Sequence, residues 1–339
     1  MDDTAEDQVF KLITGFRASR AVVLAIELGI PERVETGPQD AAELSRAVGA
    51  NEDSLRRLLR MLSALGVLKE DEQGRFAQTE LSACLLPGKR ERAMARMDLG
   101  EGYAAWGALA YSIKTGQPSY ETVHGKPQWE HLAGNPEGIA RFNAAMAASA
   151  ELDARALLAA CDLSGVSRLV DVGGGRGALM AVVLAAHPSM RGVIVDLKPG
   201  LEGASASLQA AGVADRCDLV VGDFFESVPS GAGAYVLRWI LHDWDDERTA
   251  QILGVCARAM PDDARLLVID RLMPDRIEPT VADLRKVMAD MHMMVMLGGR
   301  ERTEAEFRAL LDEAGLELTR TAPLPTGTSL IDVRKKGPA

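Results

Sequence analysis

From Ser164 onward the chain changes texture, and this change limits its fold more than any other feature. Short runs rich in branched aliphatic residues alternate with helix-length stretches. Strands separated by helices are too far apart along the chain for tight hairpins, so the alternation predicts a parallel sheet built of βαβ units. The expected strands are 168–172, 192–196, 217–221, 234–238 and 265–270, with helices at 178–187 and 247–260 between them. After a helix at 304–314, runs near 316–321 and 329–334 have no helix between them and are expected to pair as a hairpin. Seven strands ending in a hairpin differ from a plain dinucleotide-binding sheet.

The first hundred residues read differently. Residues 10–30 carry a helical pattern that is expected to stop at Gly29 and Pro31, and residues 40–48 form a second helix. Asn51 is placed to cap a third, with Leu55, Leu58, Leu59, Leu62 and Leu65 on one face and Gly66 as its stop. Residues 67–76 then suit a hairpin turning at Asp71 to Gly74. Helix, helix and β-wing make a winged-helix module, which serves either packing and dimerisation or DNA reading through Arg56, Arg57 and Arg60. Its apolar faces exceed what one small module hides, so a homodimer made by residues 1–100 is expected. Residues 101–160 carry helical patterns broken around Gly116 to Pro118 and Gly134 to Pro136, and join the two parts as a segment belonging to a domain that spans 101–339.

Charge narrows the partners. With 38 Lys plus Arg against 49 Asp plus Glu, the net charge of -11 opposes nucleic acid and anionic lipid. Cys84, Cys161, Cys217 and Cys256 are far apart and form no CxxC pair, so neither a metal site nor a disulfide framework is expected. A reducing cytoplasm suits them, and no signal segment or apolar run of membrane-spanning length is apparent.

The chemistry-bearing motifs fall where the expected strands end. Residues 168–177, RLVDVGGGRG, run from a strand through a glycine turn into a helix, at the end of the sheet where α/β proteins bind ligands. Taken alone, Gly173, Gly175 and Ala178 also satisfy the dinucleotide pattern. Asp196 ends the second strand, placed to accept both hydroxyls of an adenosine ribose. Asp223 follows the third, where a carboxylate can take the adenine amino group and Phe224 can cover the ring. Each acid also suits a turn cap. The fourth strand delivers His242 in LHDWDDE, and an imidazole titrating near neutrality suits proton removal from a phenol. A structural histidine beside a helix capped by Asp243, Asp245 or Asp246 is the plainer alternative.

Taken in order, LVDVGGGRG, VIVDL, VVGDFFESVP, YVLRWILHDWDDE, VIDRLMP and GGRERTEAEF resemble the small-molecule O-methyltransferases of the plant caffeate and flavonoid type, in their bacterial natural-product branch. SLRRLLRMLSALGVL, TVHGKPQWEHL and RFNAAMAAS extend the resemblance over nearly the whole chain. It implies a class I methyltransferase Rossmann-like sheet with an N-terminal winged-helix dimerisation domain. It implies S-adenosylmethionine as cofactor, contacted by Asp171, Gly173, Gly175, Asp196, Leu197, Asp223, Phe224 and Arg238. His242 is implied as general base, flanked by Asp270 and Glu301, one of which would bond Nδ1–H and leave Nε2 free. Arg238 stands where many relatives have Lys, and Asp270 where plant relatives have Glu.

The acceptor is expected to be a small aromatic molecule bearing a hydroxyl, held between the linking helices and the open end of the sheet. Trp129, Phe142, Met146, Trp239, Met291, His292 and Met296 are the expected lining, although flexible thioethers also serve as core filling. Rival readings are an NAD-dependent oxidoreductase, a winged-helix regulator, and a member of this family performing hydroxylation or decarboxylation. Members with such altered chemistry often lack the histidine that this chain retains.

Overall fold

A computed structural model describes residues 4–98 and 100–337 and divides into two compact units, Met1–Glu101 and Gly102–Ala339. In the first, helices Ala41–Val48 and Glu52–Ala64 precede a short hairpin of β1 (Leu68–Glu70) and β2 (Phe76–Gln78). Asp40 caps the first by accepting the Glu43 N–H at 2.7 Å, and Asn51 caps the second through the Ser54 N–H at 3.0 Å. Ile26, Leu44, Leu59, Leu62 and Phe76 form the small core. The helix expected over 10–30 is instead two, Ala5–Glu27 and Ile30–Glu35. Gly29 adopts φ 68° between them, and Pro31 lies in the first turn of the second helix, where a missing N–H loses nothing. Val9, Phe10, Leu12, Ile13 and Phe16 on the first of these helices are exposed.

The second unit carries the sheet. Strands β3 (Arg168–Val172), β4 (Arg191–Asp196), β5 (Cys217–Val221), β6 (Ala234–Arg238) and β7 (Arg265–Asp270) lie parallel. A two-residue pairing of β8 (Leu272–Met273) with β9 (Arg302–Thr303) sits apart, and β10 (Leu316–Pro323) and β11 (Ser329–Lys335) form the final hairpin. The sheet order is β10-β11-β7-β6-β3-β4-β5, with β11 antiparallel to β7. Chain order reverses at β3, so the loops after β3 and β6 leave in opposite directions and open a crevice at their carboxyl ends. Helices including Ala178–Ala186 and Pro136–Ala160 cover one face and Asp246–Ala259 and Glu304–Glu313 the other, so the central strands are buried on both sides. Among the described residues no helix is long and apolar enough to cross a membrane.

Candidate active site

Strand parity sets the chemistry of the crevice. Leu169, Ala234 and Val236 pack on one face of the sheet, Val170, Val172, Tyr235 and Leu237 on the other. Alternation therefore puts Asp171 and Arg238 on the first face, the one covered by the helix Pro136–Ala160. Arg238 Nε donates to Asp153 Oδ2 of that helix at 2.7 Å, with both side chains buried. Arg238 Nη2 and Asp171 Oδ2 remain buried without partners. Burial, and after it the neighbouring Asp196 charge, pushes the Asp171 carboxyl up to about 7.

These groups open on a cavity of about 470 Å³ at the carboxyl ends of the strands. Every residue expected to contact the cofactor lines it: Asp171, Gly173, Gly175, Asp196, Leu197, Asp223, Phe224 and Arg238. Gly173 adopts φ 72°, and a Cβ there would stand 2.5 Å from Ile240 Cδ1, so only glycine lets the chain turn beneath the cavity. Asp196 accepts the Gly175 N–H at 2.8 Å and the Leu197 N–H at 2.7 Å, tying the glycine turn to the end of β4. Asp223 accepts the Phe225 N–H at 2.8 Å. An orphaned carboxylate oxygen beside an orphaned guanidinium nitrogen complements an amino-acid zwitterion, and a ribose-height acid with spare lone pairs complements a nucleoside. The donor set thus fits S-adenosylmethionine.

Of the residues expected to line the acceptor, Trp129, Phe142, Met146 and Trp239 line the same cavity, whereas Met291, His292 and Met296 do not. Helix Val281–Met296 turns part of that face toward the linking helices: Met296 joins a cluster with Ala105 and Tyr120, and His292 Nδ1 accepts the Trp106 indole N–H at 3.0 Å. Burial, then the nearby His242 and Arg271 charges, lowers His292 to about 4.

His242 sits on a single 3-10 turn, Leu241–Asp243, directly after β6. Its Nδ1 is 2.9 Å from Glu301 Oε1 and 3.8 Å from Asp270 Oδ1. Its Nε2 is not free as expected but lies 3.4 Å from Asp243 Oδ1, and it is Asp243, not the buried imidazole, that lines the cavity. Nor does the imidazole titrate near neutrality. Burial opposes its charge, but the Glu301 and Asp270 carboxylates outweigh burial and lift it to about 9. Burial raises Asp270, whereas for Glu301 the adjoining His242 and Arg271 charges overcome burial and hold the carboxylate low. Glu301 is therefore the ionised partner.

Several supporting residues escaped sequence reasoning. The Arg302 guanidinium, buried, donates to Leu241 O at 3.0 Å, Trp244 O at 2.8 Å and Asp246 Oδ1 at 2.8 Å, clamping the turn that holds His242. Gly299 lies so close to the backbone of His242 and Asp243 that no Cβ fits. Asp290 Oδ1 accepts the Glu301 N–H at 2.8 Å, and Arg271 Nη1 donates to Glu301 Oε1 at 3.0 Å. The signal for Arg302 was present in its position beside Glu301, but a cation used against carbonyls is invisible until the turn is seen.

A sheet of this order with a reversed strand, a glycine turn at its switch point and a cavity above it is that of a class I methyltransferase. A family model for the O-methyltransferase domain matches residues 106–317, and one for the O-methyltransferase dimerisation domain matches residues 10–88. The chain belongs to this O-methyltransferase family, an S-adenosylmethionine-dependent one. It is 40% identical over 338 residues to a mitomycin biosynthesis 6-O-methyltransferase of Streptomyces lavendulae, covering 98% of this chain and 95% of that one. The structure of the mitomycin 7-O-methyltransferase MmcR is similar at TM-score 0.92 and 39% identity, with 98% of each chain covered. That of NcsB1, an O-methyltransferase from neocarzinostatin biosynthesis in complex with S-adenosylmethionine and 2-hydroxy-5-methyl naphthoic acid, is similar at TM-score 0.82 and 33% identity, covering 94% and 96%.

Proposed function

We propose that this enzyme methylates a hydroxyl of a small aromatic natural product, using His242 as the base that Glu301 and Asp270 position. The observation that carries the reading is an imidazole held by a buried carboxylate on a turn at the edge of a cavity suited to a nucleoside and an apolar ring. Similarity to enzymes acting on mitomycin and naphthoate scaffolds supports the acceptor class. When bound, S-adenosylmethionine supplies an electrophilic methyl group on a sulfonium. Asp196 holds the ribose hydroxyls, Asp223 the adenine amino group, and Phe224 and Leu197 flank the base. The turn at Gly173 and Gly175 lets the backbone approach, while Asp171 and Arg238 hold the amino-acid end. Trp129, Phe142 and Met146 contact the acceptor ring. During methyl transfer the acceptor's hydroxyl proton would pass to His242 Nε2, which lies 3.4 Å from Asp243 Oδ1. Turnover of 1-naphthol and release of S-adenosylhomocysteine test the reading; no transfer to any phenolic acceptor overturns it.

The raised imidazole gives this mechanism a pH signature. Only the deprotonated form accepts a proton, so kcat/KM should climb as pH rises from 7 toward about 9, where the neutral form becomes dominant. In Glu301→Gln the carboxylate that lifts the imidazole is gone, so the rising limb should move toward lower pH while the maximum falls. An unmoved limb would assign it to the acceptor's own ionisation and remove His242 from it.

The assembly belongs to the same proposal. We assign residues 1–100 to homodimerisation, with the exposed apolar face of Ala5–Glu27 at the interface. Arg56 pairs with Glu52 and Arg60 with Glu70, which favours packing over DNA reading. A cytoplasmic enzyme without a nucleic-acid partner fits the free thiols and the net charge of -11. Sedimentation equilibrium at micromolar concentration should return twice the chain mass, and a monomer would overturn the assignment.

A further inference from the structure

Among the described residues Trp239 alone, apart from glycines, adopts a positive φ, at 55°. A bulky side chain in this region is strained, and such strain persists only where surrounding structure holds it. Trp239 directly follows β6 and its side chain is part of the wall of the cavity. Its ring centroid lies 6.0 Å from that of His242.

Two guanidinium groups lie over this indole, Arg238 at 4.2 Å and Arg271 at 4.6 Å from the ring centroid. Each is already bound to a carboxylate, Arg238 to Asp153 and Arg271 to Glu301. Cations drawn to the π-system polarise it and leave its N–H a better donor. That N–H is buried and has no hydrogen-bond partner. An indole nitrogen donates and never accepts, so what satisfies it must carry a lone pair.

We propose that Trp239 is a specificity residue whose indole N–H donates to a second oxygen of the acceptor, a carbonyl or carboxylate on the carbon next to the one bearing the methylated hydroxyl. The inference rests on the proposed function and deepens it by naming the acceptor subclass. Neighbouring oxygens on one ring lie close enough together for one to meet the imidazole while the other meets the indole. The two guanidinium groups over the ring strengthen the indole N–H as a donor, which favours a strongly polar oxygen there. An acceptor lacking it leaves the donor buried and unpaired, the situation in which binding sites discriminate most strongly.

The test compares kcat/KM for 1-hydroxy-2-naphthoate and 1-naphthol in the wild type and in Trp239→Phe. Dividing each variant value by the wild-type value for the same acceptor cancels the acceptors' intrinsic reactivity. The variant should lose roughly tenfold more on the hydroxynaphthoate than on naphthol; equal losses overturn the proposal. S-adenosylhomocysteine affinity of the variant reports whether it folds. Independently of any variant, 2-naphthoate should inhibit wild-type methylation of 1-naphthol roughly tenfold more strongly than naphthalene does. Equal inhibition by the two also overturns it, whereas absence of wild-type turnover on either acceptor counts against the proposed function instead.

Discussion

Replacing His242 with alanine is expected to lower kcat by roughly 10²- to 10⁴-fold while leaving affinity for S-adenosylhomocysteine nearly intact. A phenol has a pKa near 10, so at neutral pH only about one part in a thousand is the nucleophilic phenolate. In the proposed mechanism the imidazole, 2.9 Å from Glu301 and 3.8 Å from Asp270, accepts that proton during attack. Its loss is felt on the acceptor side, since the residues expected to hold the cofactor leave from β3, β4, β5 and β6 and owe their positions to the glycine turn and Asp196. Raising the pH should recover part of the rate, because hydroxide then ionises an acceptor already in place. An acceptor with an electron-withdrawing substituent should suffer less for the same reason. The substitution also leaves Asp270 and Glu301 buried without their cation, Glu301 keeping Arg271, so a lower Tm is expected alongside. If His242→Ala turns over a good phenolic acceptor at the wild-type rate at pH 7, proximity alone carries the reaction.

How far the sequence reached depended on whether a feature was local. The five parallel strands and the closing hairpin were legible because branched runs bounded by turns encode strands; β3, β4, β6 and β7 are buried on both faces, whereas β5, at the sheet edge, is apolar in sequence yet mostly exposed. The break at Gly29 was legible as a stop but not as a restart, since a proline reads as a terminator until it is seen to occupy a first turn. That these residues would meet in one cavity was legible because they end consecutive strands, and period-two alternation even explains why Asp171 and Arg238 share a face. What alternation cannot supply is the partner from elsewhere: Asp153, 85 positions before Arg238, belongs to a helix read only as a linking segment. A flexible apolar side chain fits a core as well as a pocket, so sequence alone could not place the methionines of Val281–Met296, and Met296 packs in a buried cluster with Ala105 and Tyr120. For His242 the position was legible and the proton affinity was not, because that depends on Glu301 approaching from 59 positions away.

Asp196→Ala should raise the dissociation constant for S-adenosylhomocysteine by roughly 10²-fold or more, because two charge-assisted hydrogen bonds to the ribose, about 1.5–3 kcal/mol each, are lost together. The acid does more than face the ligand. Its two oxygens already accept the N–H groups of Gly175 and Leu197, and since a carboxylate offers about four lone-pair sites, the remaining ones are turned to the cavity. Alanine would remove the proposed ribose contact and at the same time release the glycine turn that Asp196 holds through the Gly175 N–H. Two consequences separate these effects. Loss of ribose binding weakens S-adenosylhomocysteine but not its homocysteine portion, whereas loosening of the turn weakens both. Asp196→Asn should fall between the wild type and alanine: its carbonyl oxygen replaces one acceptor, but its amide presents a donor to a backbone N–H and leaves that pair unsatisfied. Isothermal titration with S-adenosylhomocysteine, together with the Tm of each variant without ligand, measures both. A dissociation constant for Asp196→Ala equal to the wild-type value would place the ribose elsewhere, and with it the assignment of Asp223 to the adenine, since the nucleoside runs from the end of β4 toward the end of β5 only if Asp196 holds its sugar.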